Sequence, residues 1–525
     1  MTRLMPKKDR LPYALYRAEQ VRALDACAIE RFGIPGATLM ERAGTALWQL
    51  IERDWPRAER IAVLAGPGNN GGDGYVVARL ALQAGRRARV IALGDHARLS
   101  GAAATAAAAY AEAGGSVLAW PEWPEDSELI IDALLGTGLA RVVTGDMAAA
   151  IARVNASRAP VLAVDIPSGL CADTGCILGD AIRATATLSF IGLKQGLFTG
   201  DALDCTGRIL FDALDVPAAV YASQVAAARR TDWPKEAARI SPRPRTAHKG
   251  RCGHVLVVGG APGMSGAARL AGEAALRTGA GLVTVATHPE HAALLNLTRP
   301  ELMVAAVRSP DQLVPLLERV NVVALGPGLG RDQWGRALFE QLMRDEVIAQ
   351  RALVLDADAL NLLAERPLQR EHWILTPHPG EAARLLGCTT GDIAQDRFAA
   401  VNALQQRYGG VAVLKGAGTL VSGPGQSAPA LCSAGNPGMA SGGMGDALTG
   451  IIGGLLAQVL AQKPITNSIE HPIHERDLEQ AATAGVCLHA AAADWAARDG
   501  ERGLLASDLI QALRAQWRFV EARGQ

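Results

Sequence analysis

Short apolar runs, separated by Gly-rich turns and Ala-rich helical text, recur from about residue 61 to residue 416 and constrain this chain more than any other feature. IAVLAGPGNNGGDGYVVARLALQAG reads as a buried strand, a Gly-rich turn and a helix. ARVIAL (88–93), ELIIDAL (128–134), PVLAVDI (160–166) and ATLSFIG (186–192) continue the alternation. Continuous apolar runs of this length mark strands buried on both faces, hence parallel strands joined by crossover helices. The first part of the chain is therefore expected to be α/β, a Rossmann-like doubly wound sheet, preceded by helical text over about 17–53.

The pattern stops near 223–250, where SQVAAARRTDWPKEAARISPRPRTAHKG is basic and Pro-rich and carries no strand pattern. It restarts with HVLVVGG (254–260), GLVTVAT (281–287), VNVVALG (320–326), ALVLDAD (352–358), HWILTP (372–377) and VAVLKG (411–416). Two α/β domains follow, over 1–225 and 249–525, with 226–248 as linker. The polar stretch 461–480 interrupts helical text and reads as a surface insertion.

Lys+Arg 52 balance Asp+Glu 52, so nothing in the charge draws the chain toward nucleic acid or an anionic membrane. No apolar core of signal-peptide length follows the charged N-terminal text, and no later run reads as a span of ~18 residues. A cytoplasmic protein is expected. The eight cysteines are scattered along the chain, which suits reduced thiols better than a disulfide framework.

GPGNNGGDG holds a G-x-G-x-x-G at Gly66, Gly68 and Gly71 between a strand and a helix, where backbone N–H groups can hold a phosphate. Asp95, after the next strand, keeps a nicotinamide dehydrogenase reading open, although Asn69, Asn70 and Asp73 crowd polar side chains into a loop such a fingerprint leaves to glycines. Asp132, followed by Gly136, Thr137, Gly138 and Leu139, and Asp165, followed by Ser168, lie at further strand ends. Strand ends around a switch point face one crevice, so Asn70, Asp132 and Ser168 are expected to converge. Their oxygens suit a hard cation rather than zinc. Asp165, ending a buried strand, is either paired or a base. Lys194 is an acid or charge partner, or a surface lysine with its ammonium in water.

In the second half no P-loop pattern can be aligned. NPGMASGGMGDALTGIIGGLLAQ (436–458) runs from a Gly-rich turn into an apolar helix with Asp446 at its start. Such a helix N-terminus can hold phosphoryl oxygens while the carboxylate accepts a proton from an attacking hydroxyl. LTPHPGE places His378 at a strand end, KGAGT offers Lys415 and two glycines to a nucleotide, and GPGLG and LDADAL add two more strand ends on one rim.

GPGNNGGDG, DALLGTGL, VDIPSG and SFIGLKQG together resemble the YjeF N-terminal, NAD(P)H-hydrate epimerase family over nearly all of 15–220. The resemblance implies that Asn69, Asn70, Gly71, Gly72, Asp73, Gly136, Thr137, Gly138, Leu139 and Asp165 bind the hydrated nucleotide. It also implies K+ held by Asn70, Asp132 and Ser168, and catalysis by Asp165 with Lys194. NPGMASGGMGD and LTPHPGE resemble the ADP/ATP-dependent NAD(P)H-hydrate dehydratases, of ribokinase-like fold, over about 240–520. That resemblance gives Ala267, Gly328, His378 and Asp446 to the hydrated nucleotide. It gives Lys415, Gly416, Ala417, Gly418, Thr419 and Gly445 to ADP or ATP with Mg2+, and makes Asp446 the catalytic base.

The joint implication is repair of hydrated NADH and NADPH: epimerisation of the R and S hydrates, then phosphorylation and loss of phosphate from the S hydrate. A homo-oligomer is also implied. Two other readings stand beside it, a small-metabolite kinase with a regulatory first half, and a binding module like the related domain of an mRNA-decapping scaffold.

Overall fold

The computed structural model describes residues 11–96, 99–344, 351–425, 428–462 and 473–521, and its backbone contacts divide into units that meet at Arg229 and Arg230. In the first unit the strands are β1 (Ala14–Leu15), β2 (Arg60–Ala65), β3 (Arg87–Ala92), β4 (Ser116–Ala119), β5 (Leu129–Ala133), β6 (Val161–Val164), β7 (Ala186–Phe190), β8 (Arg208–Asp212) and β9 (Ala228–Arg230). Strands β2 to β8 form one sheet in the order 4-3-2-5-6-7-8, every pair parallel. The order reverses between β2 and β5, which makes the sheet doubly wound and opens a crevice at their carboxyl ends. Val63 and Ile131 face one apolar layer, which holds the helices Ala18–Glu30, Gly36–Asp54 and Asn69–Gln83. Leu64 and Ile130 face the other, under Gly145–Ala156.

The second unit contains β10 (His254–Val258), β11 (Leu282–Thr287), β12 (Met303–Ala306), β13 (Val322–Leu325), β14 (Ala352–Leu355), β15 (Trp373–Leu375), β16 (Val411–Leu414), β17 (Thr419–Ser422) and β18 (Ala430–Cys432). They run in the order 18-17-16-15-14-13-10-11-12, parallel from β16 to β12 and antiparallel at the β16, β17 and β18 edge. The helices Ser265–Thr278, Met444–Ala461 and Glu475–Ala496 share one core with this sheet.

Three expectations change. The 226–248 stretch is not all linker: β9 pairs with β1, and the short helix Trp233–Ala237 buries Trp233, whose indole donates to the Gln516 carbonyl at 3.0 Å. Polar spacing hid one large apolar anchor. Of the 461–480 stretch, 463–472 lie outside the described residues, while Glu475 opens a helix that buries Leu478 completely. Met444–Ala461 is 18 residues long and apolar enough to cross a membrane, contrary to the expectation that no run reads as a span, and it is a core helix here.

Candidate active sites

In the first unit β2 turns through Gly66–Gly68 into the helix Asn69–Gln83, beside a cavity of about 650 Å³. Asn69, Asn70, Asp73, Gly136, Thr137, Gly138, Leu139, Asp165 and Lys194 all line it, so loops after four parallel strands converge as the switch point requires. Gly71 and Gly72 lie behind this wall. Both are buried, and a Cβ on Gly71 would stand 2.0 Å from the Gly66 carbonyl oxygen. Gly71 lets the helix close on the turn, and Gly72 lets it approach Met40 and Ala103.

Asp132 is fully buried near the end of β5. Its Oδ1 accepts from Ser168 Oγ at 2.5 Å and its Oδ2 from Ser168 N at 2.8 Å. Burial pushes this carboxyl up to about 6, against the hydrogen bonds from Ser168 and Leu134 that pull it down. Asn70 stands against the same loop, where a Cβ on Gly136 would lie 3.4 Å from Asn70 Cβ. Its Nδ2 is buried with no hydrogen-bond partner among the described residues. Asp132 and Ser168 thus bond to each other, and Asn70 stands beside the loop that follows Asp132.

Asp165 follows β6 with φ of 68°, a left-handed conformation that aspartate tolerates better than most residues. Its Oδ1 accepts from the Phe190 N–H at 3.0 Å and from the Lys194 ammonium. Lys194 is fully buried, not a surface lysine, and also donates to Ser189 Oγ and the Phe190 carbonyl. The sequence reading missed Asp25 of the helix Ala18–Glu30, which lines the same cavity.

In the second unit the chemistry gathers at the carboxyl ends of β10, β13, β14, β15 and β16. Asp446 lies in the first turn of Met444–Ala461. It is not the N-cap, which is Gly443 in the left-handed region at φ of 89°. Burial, with Asp356 next, pushes the Asp446 carboxyl up to about 6, and Lys415 opposes them. Lys415 Nζ lies 2.6 Å from Asp356 Oδ1 and 3.8 Å from Glu381, and Thr449 Oγ1 donates to Asp356 Oδ2 at 2.8 Å. A Cβ on Gly445 would stand 3.2 Å from Lys415 Nζ, so the helix start and the lysine approach each other closely here.

His378 caps Pro379–Leu386: its Nδ1 accepts from Gly380 N at 3.0 Å, leaving Nε2 to carry the proton of the neutral ring. Burial, then Lys415, holds this imidazole below its usual range. Gly328 and Ala267 are neighbours, since a Cβ on Gly328 would lie 3.2 Å from Ala267 Cβ. Lys415 to Gly418 is the turn of the β16–β17 hairpin, and Thr419 opens β17. Arg397, unnoticed in the sequence and 5% exposed, holds that turn by donating to the carbonyls of Leu414, Lys415 and Gly418. His489 was also unnoticed. It is buried beneath the helix start with Nε2 3.0 Å from the Met444 carbonyl.

A doubly wound unit with a buried acid–ammonium pair, and a second unit with carboxylates grouped at a helix N-terminus, define a two-site α/β enzyme. Residues 36–196 match the family described as YjeF-related protein N-terminus, and 255–515 match NAD(P)H-hydrate dehydratase. The bifunctional NAD(P)H-hydrate repair enzyme Nnr of Coxiella burnetii is 47% identical over 95% of this chain and 98% of its own. That of Escherichia coli is 44% identical over 96% and 94%. Among solved structures, a ribokinase-like superfamily protein of Enterococcus faecalis is 28% identical with a TM-score of 0.48, covering 56% of this chain and 97% of that one.

The chain belongs to the bifunctional NAD(P)H-hydrate repair enzyme family. It epimerises the R and S hydrates of NADH and NADPH and dehydrates the S hydrate in an ADP- or ATP-dependent reaction. The lone-kinase and binding-module readings fall away.

Proposed function

We propose that Asp165 with Lys194 carries the epimerisation and that Asp446 carries the phosphoryl transfer of the dehydration. The observation that supports the first assignment is the buried Lys194 ammonium on a carboxylate that opens onto the cavity. The carbon bearing the hydroxyl loses its configuration by ring opening or by loss of water, and either route needs a positioned proton acceptor. Lys194 fixes the Asp165 carboxylate in direction and offsets its charge.

In the second unit, water is a poor leaving group and phosphate a good one. Asp446 takes the proton of the hydroxyl as it attacks the terminal phosphoryl group, and the helix N-terminus stabilises the charge in transfer. Phosphate then leaves, and loss of the proton from the adjacent ring carbon restores the double bond. Ala267, Gly328 and His378 frame the hydrated nucleotide, while Lys415 to Thr419 and Gly445 hold ADP or ATP.

The donor sets fit two cations. The Asn70 amide oxygen, the Asp132 carboxylate and Ser168 Oγ are hard oxygen donors suited to K+, which would supply the countercharge that Asp132 lacks among its hydrogen-bond partners. Glu381, whose carboxylate lies 3.8 Å from Lys415 Nζ, offers a hard oxygen to Mg2+, which would screen nucleotide phosphates when bound. Eight free thiols support a cytoplasmic setting, and the expected homo-oligomer is a light-scattering measurement.

The assignment is tested with Asp165→Asn. The variant keeps its affinity for the hydrate and loses epimerisation, and a wild-type epimerisation rate removes Asp165 from the mechanism.

A further inference from the structure

The epimerase cavity holds more carboxylates than the mechanism above uses. Asp25 comes from the helix Ala18–Glu30, Asp73 from Asn69–Gln83, Asp165 from the loop after β6 and Lys194 from the loop after β7. Four separate elements thus deliver three carboxylates and one ammonium to one cavity. Lys194 makes its ion pair with Asp165. Among the described residues neither Asp25 nor Asp73 has an ion-pair partner. The remaining charges on the cavity wall are Arg22 and Arg141, both exposed to solvent, and the Tyr221 phenol nearby donates to the Ile191 carbonyl at 2.8 Å.

Three carboxylates around one ammonium cannot all ionise in a partly dry cavity. Burial pushes Asp25 up to about 6, with Lys194 opposing and Asp165 adding to the rise. Burial, then Asp165 and Asp25, holds Asp73 well above the usual carboxylate range. The Asp25 and Asp73 side of the cavity therefore keeps a proton to higher pH than solvated carboxylates do.

That proton is what the reaction lacks. Inversion by loss of water begins when an acid gives its proton to the leaving hydroxyl. The carbon–oxygen bond then breaks with its electrons going to the departing water, and the ring nitrogen lone pair forms the C=N bond of an iminium. Water adds from the other face as its proton passes to a base, so one water leaves, one enters and the proton count closes. Inversion by ring opening uses the same pair differently: the base takes the hydroxyl proton, the carbon–nitrogen bond breaks, and the acid protonates the nitrogen. Both routes need one group that arrives protonated and one that arrives ionised.

We propose that Asp25 is the general acid of epimerisation, with Asp73 beside it sharing and replenishing its proton, while Asp165 on Lys194 is the base. The inference rests on the assignment of Asp165 made above. A wild-type rate in Asp165→Asn removes that assignment without bearing on whether Asp25 variants are impaired, so the two failures are distinguishable.

The test is the rate of R-to-S conversion of purified NADH hydrates by the full-length protein from pH 5 to 9, above the uncatalysed background, in wild type, Asp25→Asn and Asp25→Glu. Asp25→Asn is expected to lower kcat at least tenfold, leave KM within about twofold and lose the limb on which activity falls as pH rises. Asp25→Glu is expected to recover most of the rate and to move that limb. Dehydration of the pure S hydrate stays unchanged in both. Wild-type kcat and both limbs in Asp25→Asn would overturn the proposal. If Asp25→Asn does not fold, Asp25→Glu decides alone, and an unmoved limb overturns it.

Discussion

Lys415 Nζ meets Asp356 Oδ1 at 2.6 Å although their strands, β16 and β14, are separated by β15. Two strand spacings are about 9.5 Å, which the long lysine side chain crosses to reach the carboxylate. This contact ties the nucleotide turn to the acidic rim beside Asp446.

Asp356→Asn removes one partner of that buried pair and is expected to destabilise the second unit by about 3–5 kcal/mol. Burial pushes the Asp356 carboxyl up, but Lys415 and hydrogen bonds outweigh it and hold the group low; burial pushes Lys415 down, but Asp356 and Glu381 raise it. The pair's contribution is therefore present above the usual carboxylate range and lost in acid as pH falls through the lowered Asp356 value. It is also present below the usual lysine range and lost in alkali as pH rises through the raised Lys415 value. Thermal melts with and without ADP identify the unit concerned, since only the transition that ADP shifts should move in the variant.

Asp446→Asn should trade activity for stability. The carboxyl is raised to about 6, so its ionisation costs the folded state about 3 kcal/mol at neutral pH, two pKa units at about 1.4 kcal/mol each. The variant loses dehydration and gains up to that amount in stability. The gain fades as pH falls from about 6 toward the unfolded value, where both states protonate. In wild type the same group makes dehydration decline below about pH 6, because a protonated Asp446 accepts nothing. A dehydration rate flat down to pH 5 contradicts the assignment.

Epimerisation should depend on the monovalent cation. At constant ionic strength, replacing KCl by choline chloride is expected to lower the rate at least tenfold, and Asp132→Asn to abolish the dependence on K+. Because Asp132 protonates at about 6 without a cation, the K+ concentration needed for half activity should rise as pH falls through that value. Equal rates in both salts would remove the cation from the site.

Much of this was legible because the strands buried on both faces write continuous apolar text. RIAVLA, LIIDA and VLAV are core strands and their ends carry the site. The strands that escaped notice are mainly edges: SVLA of β4, RILFD of β8 and MVAA of β12 are half exposed and mix polar with apolar residues, so no run stands out. Asn70, Asp132, Asp165 and Ser168 were singled out because they follow strand ends that face one crevice at a switch point, and Asp446 because a Gly-rich turn runs into an apolar helix there. Asp25, Arg397 and His489 were not, since they sit inside ordinary helical text far from any motif, and only the packing of their helices brings them to the sites. Lys194 was ambiguous for the same reason, because burial is a tertiary property.

The central claim is that two separate sites act in sequence on one damaged cofactor. The direct measurement mixes the purified protein with both epimers of hydrated NADPH and ADP, ATP or neither, and follows the return of the near-ultraviolet dihydronicotinamide absorbance. The account predicts full recovery that requires a nucleotide, reduced in Asp165→Asn to a fast phase matching the S hydrate alone. Full fast recovery in Asp165→Asn, or recovery without any nucleotide, would contradict it.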